Sequence, residues 1–497
     1  MKKDFDIVIF GGTGDLALRK LLPSLYRANY QGEFEASARI FVTTRKVEEV
    51  EQFDSIIENA LRKYLAADEL NEDRKESFLK LLHPVLLDAV DRSKGWADFE
   101  EQFNGYECKT RVFYLAVMPS IFGPCCENLS HHNLITPNSR VVVEKPIGYD
   151  FESAEKINET IALYFQEEQI YRIDHYLGKE TVQNLLALRF GNFLFENIWD
   201  AKSIDHVQIS ISEVVGLEGR AGFYENTGAM RDMVQNHLLQ LLCLIAMESP
   251  NKLQAEDIRV EKIKVLRALK ALDKVQIDRW TVAGQYAGGE IDGQSVDSYL
   301  NDLANDDASQ SESSHVSRTE TFVAMKTFID NWRWSGVPFY LRTGKRLKKR
   351  RAEIIVTFKN VSHDIYAPAG QSLIPNRLII QLQPEEKIQL QLMAKSLGEE
   401  REKLKPIKLN LNLNQENSSK PSSDYQRLLL NAIKGDSTLF IHRDEVKAAW
   451  QFIDPILAHW NSSQRIPENY ASGSWGPEKA NGLFEDKAQY WIDTDKE

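Results

Sequence analysis

The chain opens on a strand that runs straight into a glycine turn. Phe5-Asp-Ile-Val-Ile-Phe10 is followed at once by Gly11-Gly12-Thr13-Gly14-Asp15-Leu16-Ala17 and then a helical stretch through Tyr26. Glycines at such a turn let the backbone approach a pyrophosphate closely, and the helix N-terminus adds free N–H groups and a positive dipole end. The spelling is GxxGxxA, or GxGxxA read from Gly12. A plain tight turn would look the same, but the position after the first strand favours a dinucleotide. Further apolar runs follow at Arg39–Thr43, Arg111–Val117 and Arg140–Glu144, separated by helical segments such as Val50–Leu65. Strands that are apolar throughout and alternate with helices mean a parallel sheet covered on both faces. The N-terminal part is therefore read as α/β, a doubly wound Rossmann domain.

After about residue 200 the period changes. Val207–Ile211, Leu378–Leu382, Ile388–Leu392 and Ile407–Leu413 alternate apolar with polar residues. A period of two signals a sheet with one buried and one wet face, hence antiparallel pairing. Helical stretches at Met230–Met247, Arg318–Asp330 and Asp424–Lys434 are expected to cover its apolar face, which makes this part α+β. Tyr286–Ser317 and Asn414–Ser423, rich in small polar residues, read as loops.

Charge and cysteines set the partners and compartment. With 61 basic against 73 acidic residues the net charge is −12, which disfavours nucleic acid and membrane surfaces. An anionic ligand must then be caught by a local cationic pocket. Four cysteines with no CxxC supply neither a disulfide framework nor a zinc site, so a reducing, cytoplasmic setting is expected. The N-terminus lacks a secretory pattern, and Leu238–Met247, the longest apolar stretch, is too short to span a membrane.

Several residues are able to do chemistry. The second strand ends in Thr44-Arg45-Lys46 with no acid. An acid there would hold ribose hydroxyls, whereas Arg45 suits a 2′-phosphate, so NADP is favoured over NAD. Arg172-Ile-Asp174-His175-Tyr176-Leu-Gly-Lys179 can gather donors on a phosphate, although a surface turn with a satisfied Asp–His pair would read alike. His237 precedes an apolar helix on an interior face, where a histidine is more often core than catalyst. An orienting acid, with Asp174 the candidate, would make it a general base. Lys145, before Pro146, stands at the carboxyl end of a strand, the edge where open α/β sheets bind ligands. Lys345 to Arg351 holds six basic residues, either a solvated run or a source of cations for a phosphorylated ligand.

Taken in order, GGTGDLA, EKPIG, RIDHYLGKE, DMVQNHLLQ, TETFVAMK, DNWRWSGVPFYLRTGKRL and SGSWGP resemble the glucose-6-phosphate dehydrogenase family over nearly the full length. The resemblance implies NADP-dependent oxidation of glucose 6-phosphate at C1 to 6-phosphogluconolactone, the first step of the oxidative pentose phosphate pathway. It also implies a Rossmann domain, placed at 1–176, and an α+β domain at 177–497 with a large, mainly antiparallel sheet that makes homodimers or homotetramers. Residue by residue it makes His237 the base and Asp174 its partner, and gives the phosphate to His175, Tyr176 and Lys179. Glu213, Asp232, Lys145, Lys345, Arg350 and Gln383 would line the sugar pocket. Gly11, Thr13, Gly14, Asp15, Leu16, Arg45, Tyr114 and Lys145 match cofactor positions. No metal is needed. The sequence departs from the family in Gly293–Ser317, and Gln381 replaces a basic residue of the second, structural NADP site of some eukaryotic relatives, so that site is expected to be absent or weak. Another sugar oxidoreductase and a non-catalytic NADP sensor are the rival readings; the presence of His237 and Asp174 argues against the sensor.

Overall fold

A computed structural model describes residues 3–106, 109–306, 317–366, 373–396, 404–411, 423–486 and 488–495. Its strands in chain order are β1 (Phe5–Phe10), β2 (Arg39–Thr44), β3 (Leu82–Leu86), β4 (Thr110–Leu115), β5 (Ser139–Val143), β6 (Ile170–Ile173), β7 (Ile204–Ser212), β8 (Thr281–Ala287) and β9 (Gly289–Ile291). There follow β10 (Gln294–Val296), β11 (Phe322–Thr327), β12 (Phe339–Gly344), β13 (Arg351–Phe358), β14 (Arg377–Gln383), β15 (Lys387–Lys395), β16 (Leu404–Leu411), β17 (Phe440–Ile441) and β18 (Glu468–Ala471). The chain divides into two compact units: Met1–Lys179 with Pro250–Val260 and Ser419–Lys447, and Glu180–Ser249 with Glu261–Ser418 and Ala448–Glu497.

In the first unit seven strands lie in the order β17-β6-β5-β4-β1-β2-β3, parallel except where β17 meets β6. β1 shows why its sequence is apolar throughout. Ile7 and Ile9 enter a core with Leu21, Leu25 and Tyr26, while Val8 and Phe10 enter one with Trp96, Phe122 and Leu129 on the other face. Each such side chain, fully buried, contributes about 1.5–3 kcal/mol. The chain leaves β1 toward β2 and β3 on one side and returns through β4 to β6 on the other. Gly11 to Gly14 therefore open the switch point between β1 and β4, where ligands bind in such sheets. β3 escapes a sequence reading because Pro84 breaks the pattern, which is tolerated on an edge strand.

One helix is corrected here. Asp424–Lys434, expected on the second sheet, belongs to the first unit. Leu428, Leu429 and Ile433 pack in the core that holds Leu21 and Leu25. Its apolar stripe predicts burial but does not name the sheet that buries it.

Nine strands of the second unit lie in the order β16-β15-β14-β13-β7-β12-β11-β8-β18. β12 runs parallel to β7 and β18 to β8, and the remaining pairs are antiparallel. The alternating segments form β7, β14, β15 and β16 as expected. Met230–Leu238 and Leu239–Ala246 are helical. Arg318–Asp330 is not: β11 runs through its middle with all six residues buried. Phe322 and Val323 favour a strand, and burial on both faces erased the alternation that would have announced it. Tyr286–Ser317 is likewise more than a loop, since it holds the β9–β10 hairpin and a helix at Tyr299–Asp306; residues 307–316 lie outside the described residues, as do 412–413 at the end of the Ile407–Leu413 segment and 414–422 of the second loop. Among the described residues no helix is long and apolar enough to cross a membrane.

Candidate functional site

The first unit carries the glycine turn. Gly11 sits at φ 74°, and a Cβ on it would lie 2.6 Å from the Ala116 carbonyl oxygen. One on Gly12 would lie 2.4 Å from Val42 Cγ1. Side chains are thus excluded, and the turn is tied to β2 by Gly12 N–H donating to the Thr43 carbonyl at 3.0 Å. Thr13 and Leu16 are half-buried, Gly14 and Asp15 are exposed, and Asp15 pairs with Arg19 at 3.0 Å. Arg45 is exposed just past the end of β2. Tyr114, on β4, is buried, and its hydroxyl donates to Glu144 Oε1 at 2.5 Å. Burial raises the Glu144 carboxyl, against the opposing pull of Tyr114, Lys145 and Tyr425. Next to it Lys145, half-buried, precedes a cis peptide to Pro146. A bare backbone turn beside a flanking guanidinium, both at the carboxyl edge of a parallel sheet, fits a phosphorylated dinucleotide.

Residues 174–179 coil into successive tight turns: Leu177 N–H donates to the Asp174 carbonyl, Gly178 to His175 and Lys179 to Tyr176. This local winding gathers His175, Tyr176 and Lys179 as the sequence predicts. Asp174, 1% exposed, accepts the Tyr176 backbone N–H at 2.9 Å. Lys179, 5% exposed, places Nζ 5.5 Å over the Tyr176 ring and 3.2 Å from Asp424 Oδ2. Helix Asp424–Lys434 buttresses the turn, with Arg427 Nε donating to the Gly178 carbonyl at 2.6 Å. Asp424 was missed, because nothing in the sequence ties residue 424 to residue 179.

The second unit gathers its own group. Ser212 on β7 pairs with Gly344 on β12 and Arg351 on β13, so Glu213, Lys345 and Arg350 emerge from one sheet edge. Gln383 ends β14 at that edge, opposite Ala352, where a register shift marks a bulge. Lys345, 4% exposed, pairs with Glu213 Oε2 at 2.7 Å, while Arg350 is exposed and Gln383 half-buried. The Tyr470 hydroxyl holds the Lys345 carbonyl at 2.7 Å. Lys345 Nζ also lies 5.0 Å over the ring of buried Tyr224. Burial, and then the charges of Asp232, Glu320 and Glu213, push the Tyr224 hydroxyl well above its ordinary range. Sequence reasoning missed Tyr224; only three carboxylates converging on one ring reveal it.

Asp232 and His237 share the segment Met230–Leu238, which winds with i→i+5 hydrogen bonds rather than as an α-helix. Residues five apart would diverge by about 140° in an α-helix, whereas the wider turn brings them toward one face. Glu320 pins its start, its carboxylate accepting Met230 N–H at 2.9 Å and its carbonyl accepting Ala229 N–H at 2.9 Å. His237 is wholly buried and Asp232 half-buried.

Two family models match this chain end to end. "Glucose-6-phosphate dehydrogenase, NAD binding domain" covers residues 8–184, and "Glucose-6-phosphate dehydrogenase, C-terminal domain" covers 186–492. The chain belongs to the glucose-6-phosphate dehydrogenase family. It is 47% identical over 489 residues to the glucose-6-phosphate 1-dehydrogenase of Rhizobium meliloti, with 98% of each chain covered. The Zymomonas mobilis enzyme of the same name is 44% identical over 490 residues, covering 98% of this chain and 99% of that one. Among solved structures, a glucose-6-phosphate dehydrogenase in complex with its substrate glucose-6-phosphate superposes with a TM-score of 0.87 at 31% identity, covering 99% of both chains. The Mycobacterium avium glucose-6-phosphate 1-dehydrogenase superposes at 0.84 with 32% identity, again over 99% of both. Membership in the glucose-6-phosphate dehydrogenase family accords with a Rossmann unit followed by a large, mostly antiparallel sheet.

Proposed function

We propose that the chain oxidises D-glucose 6-phosphate at C1 to 6-phospho-D-glucono-1,5-lactone, using NADP, as the entry step of the oxidative pentose phosphate pathway. The observation that carries this reading is the full-length similarity to enzymes of that name, and the residues present suit the chemistry. Bound NADP supplies an oxidised nicotinamide ring that accepts hydride. Gly11, Thr13, Gly14, Asp15, Leu16, Tyr114 and Lys145 serve as its cradle, and Arg45 takes the 2′-phosphate.

His175, Tyr176 and Lys179 hold the sugar phosphate. Glu213, Asp232, Lys345, Arg350 and Gln383 orient the hydroxyls. As the C1 hydrogen departs with the bonding electron pair to the oxidised nicotinamide, the C1 hydroxyl becomes acidic and His237 takes its proton while the C1=O bond forms. A positioned imidazole contributes about 10²- to 10⁴-fold to such a step. Asp174 is the carboxylate partner that stabilises the imidazolium without itself taking the proton, by analogy with the hydrolase triad. Phosphate contacts remote from C1 orient the sugar and so contribute to turnover as well as affinity.

Initial rates of nicotinamide reduction with glucose 6-phosphate, galactose 6-phosphate and glucose test this. Glucose 6-phosphate is expected to be far the best substrate; equal rates with glucose would remove the phosphate roles of His175 and Lys179. The reading extends to a cytoplasmic homodimer or homotetramer. Buried thiols at Cys125 and Cys126 suit a reducing compartment. Leu409 and Leu411, each 51% exposed on the edge strand β16, suit a covered face. Light scattering decides the assembly, and a monomer mass would discard it.

A further inference from the structure

Past the end of β2 the cofactor corner holds more than the two cations the sequence advertises. Thr44 Oγ1 donates to Glu49 Oε2 at 2.5 Å, and Lys46 Nζ donates to Glu49 Oε1 at 2.7 Å. The Thr13 hydroxyl of the glycine turn donates to the same carboxylate. These donors hold the Glu49 carboxyl at about 2, so it is an anion at any working pH. Glu48, its neighbour in the same first helical turn, is exposed, whereas the Glu49 side chain is 22% exposed. A solvated acid stabilising a helix dipole would not need three partners drawn from the strand end, the glycine turn and the next cation. Asp88 adds a second negative charge near Arg45. Lys46 is thus already paired with Glu49, and the exposed Arg45 acts electrostatically on Asp88.

We propose that Glu49 sets the choice between NADP and NAD: its carboxylate engages Lys46 and Thr13, competes with a 2′-phosphate for them, and leaves an acceptor for a free ribose 2′-hydroxyl. The proposal rests on the reading that Arg45 meets the 2′-phosphate. Removing a fixed negative charge a few ångströms from a phosphate strengthens its binding, and removing the acceptor weakens a ribose bearing only hydroxyls. The unaltered protein therefore binds NAD as well as NADP, and discrimination sharpens when Glu49 loses its charge.

The test is direct titration of NADP and of NAD by isothermal calorimetry, paired with kcat/KM for each cofactor, on the full chain and on Glu49→Gln, Glu49→Asp, Glu49→Gln/Lys46→Gln and Arg45→Ala. Glu49→Gln is expected to move the Kd ratio toward NADP by about tenfold, while Glu49→Asp, which keeps the charge, stays near the unaltered protein. In the double variant much of that gain disappears, because the freed Lys46 is what delivers it. A ratio that stays within twofold in Glu49→Gln, or moves toward NAD, overturns the proposal, as does a gain that survives loss of Lys46 undiminished. Arg45→Ala separates the two levels. If it weakens NADP alone while Glu49→Gln is silent, only the Glu49 assignment falls; if it weakens both cofactors equally, the 2′-phosphate reading falls and the proposal with it.

Discussion

Replacing Lys179 by Ala removes an ammonium assigned to the substrate phosphate. A hydrogen bond to a charged group is worth about 1.5–3 kcal/mol, and 1.4 kcal/mol is tenfold in affinity, so the bare expectation is a 10- to 100-fold rise in KM. Lys179 does not stand alone, however. Its Nζ is 3.2 Å from Asp424 Oδ2, with side-chain exposures of 7% and 28%. Asp424 already draws on the same ammonium and repels an incoming dianion, which places Lys179→Ala toward the lower end, about 10- to 30-fold. The same reasoning makes Asp424→Asn lower KM about threefold, and makes Asp424→Asn partly rescue Lys179→Ala, since an uncompensated carboxylate is removed. Because water reaches Asp424, loss of the lysine should shift Tm by only a few degrees. Steady-state kinetics on the four proteins, with glucose 6-phosphate and unphosphorylated glucose, measure the cycle. A KM for glucose 6-phosphate within twofold of the unaltered protein, or an equal loss with glucose, would refute the assignment.

Other expectations are simpler to state. His237→Asn should lower kcat by about 10²- to 10⁴-fold while calorimetry still detects substrate; unchanged turnover removes it from the mechanism. Arg45→Ala should weaken NADP much more than NAD in the same titrations. Gly11→Ala should abolish most cofactor binding, because its Cβ would meet a backbone oxygen at 2.6 Å; near-normal binding would show that the turn relaxes freely. Acid stability has a nameable contributor in Glu167. Burial raises its carboxyl, but the hydrogen bond and charge of Arg172, at 2.6 Å, outweigh that and leave it lowered. A depressed carboxyl stabilises the fold above its unfolded value near 4.3 and loses that contribution as pH falls through the folded value. Glu167→Gln should therefore lower Tm at pH 7 and flatten its decline below about pH 4; an unchanged acid limb would assign that limb to other groups.

What the sequence made legible follows from which signals are local. The glycine turn, the two-sided apolar strands and the tight coil at 174–179 depend on neighbours in the chain, and all were readable. The β11 segment carries no periodic strand signal in its sequence, because complete burial hides its alternation. Tyr224 meets Lys345 and Glu320, Glu320 meets Met230 at a separation of 90, and Asp424 meets Lys179 at a separation of 245, so no spacing rule could reach them. Asp232 and His237 stand out in the sequence, but the wider helical turn that relates them is a product of packing. Glu49 lies only three residues from Lys46, yet its partner Thr13 comes from the glycine turn, and without that contact it reads as an ordinary acid opening a helix.

The first unit is not contiguous in the chain. Its sheet is completed by Phe440–Ile441 pairing with β6, and its core by Leu428, Leu429 and Ile433. A nascent polypeptide emerging from the ribosome must therefore carry its nucleotide-binding half unfinished, with Leu21, Leu25 and Tyr26 lacking part of their cover, until translation has passed residue 441. Truncation anywhere upstream of residue 424 removes material from both halves at once, so premature termination leaves no self-sufficient remnant.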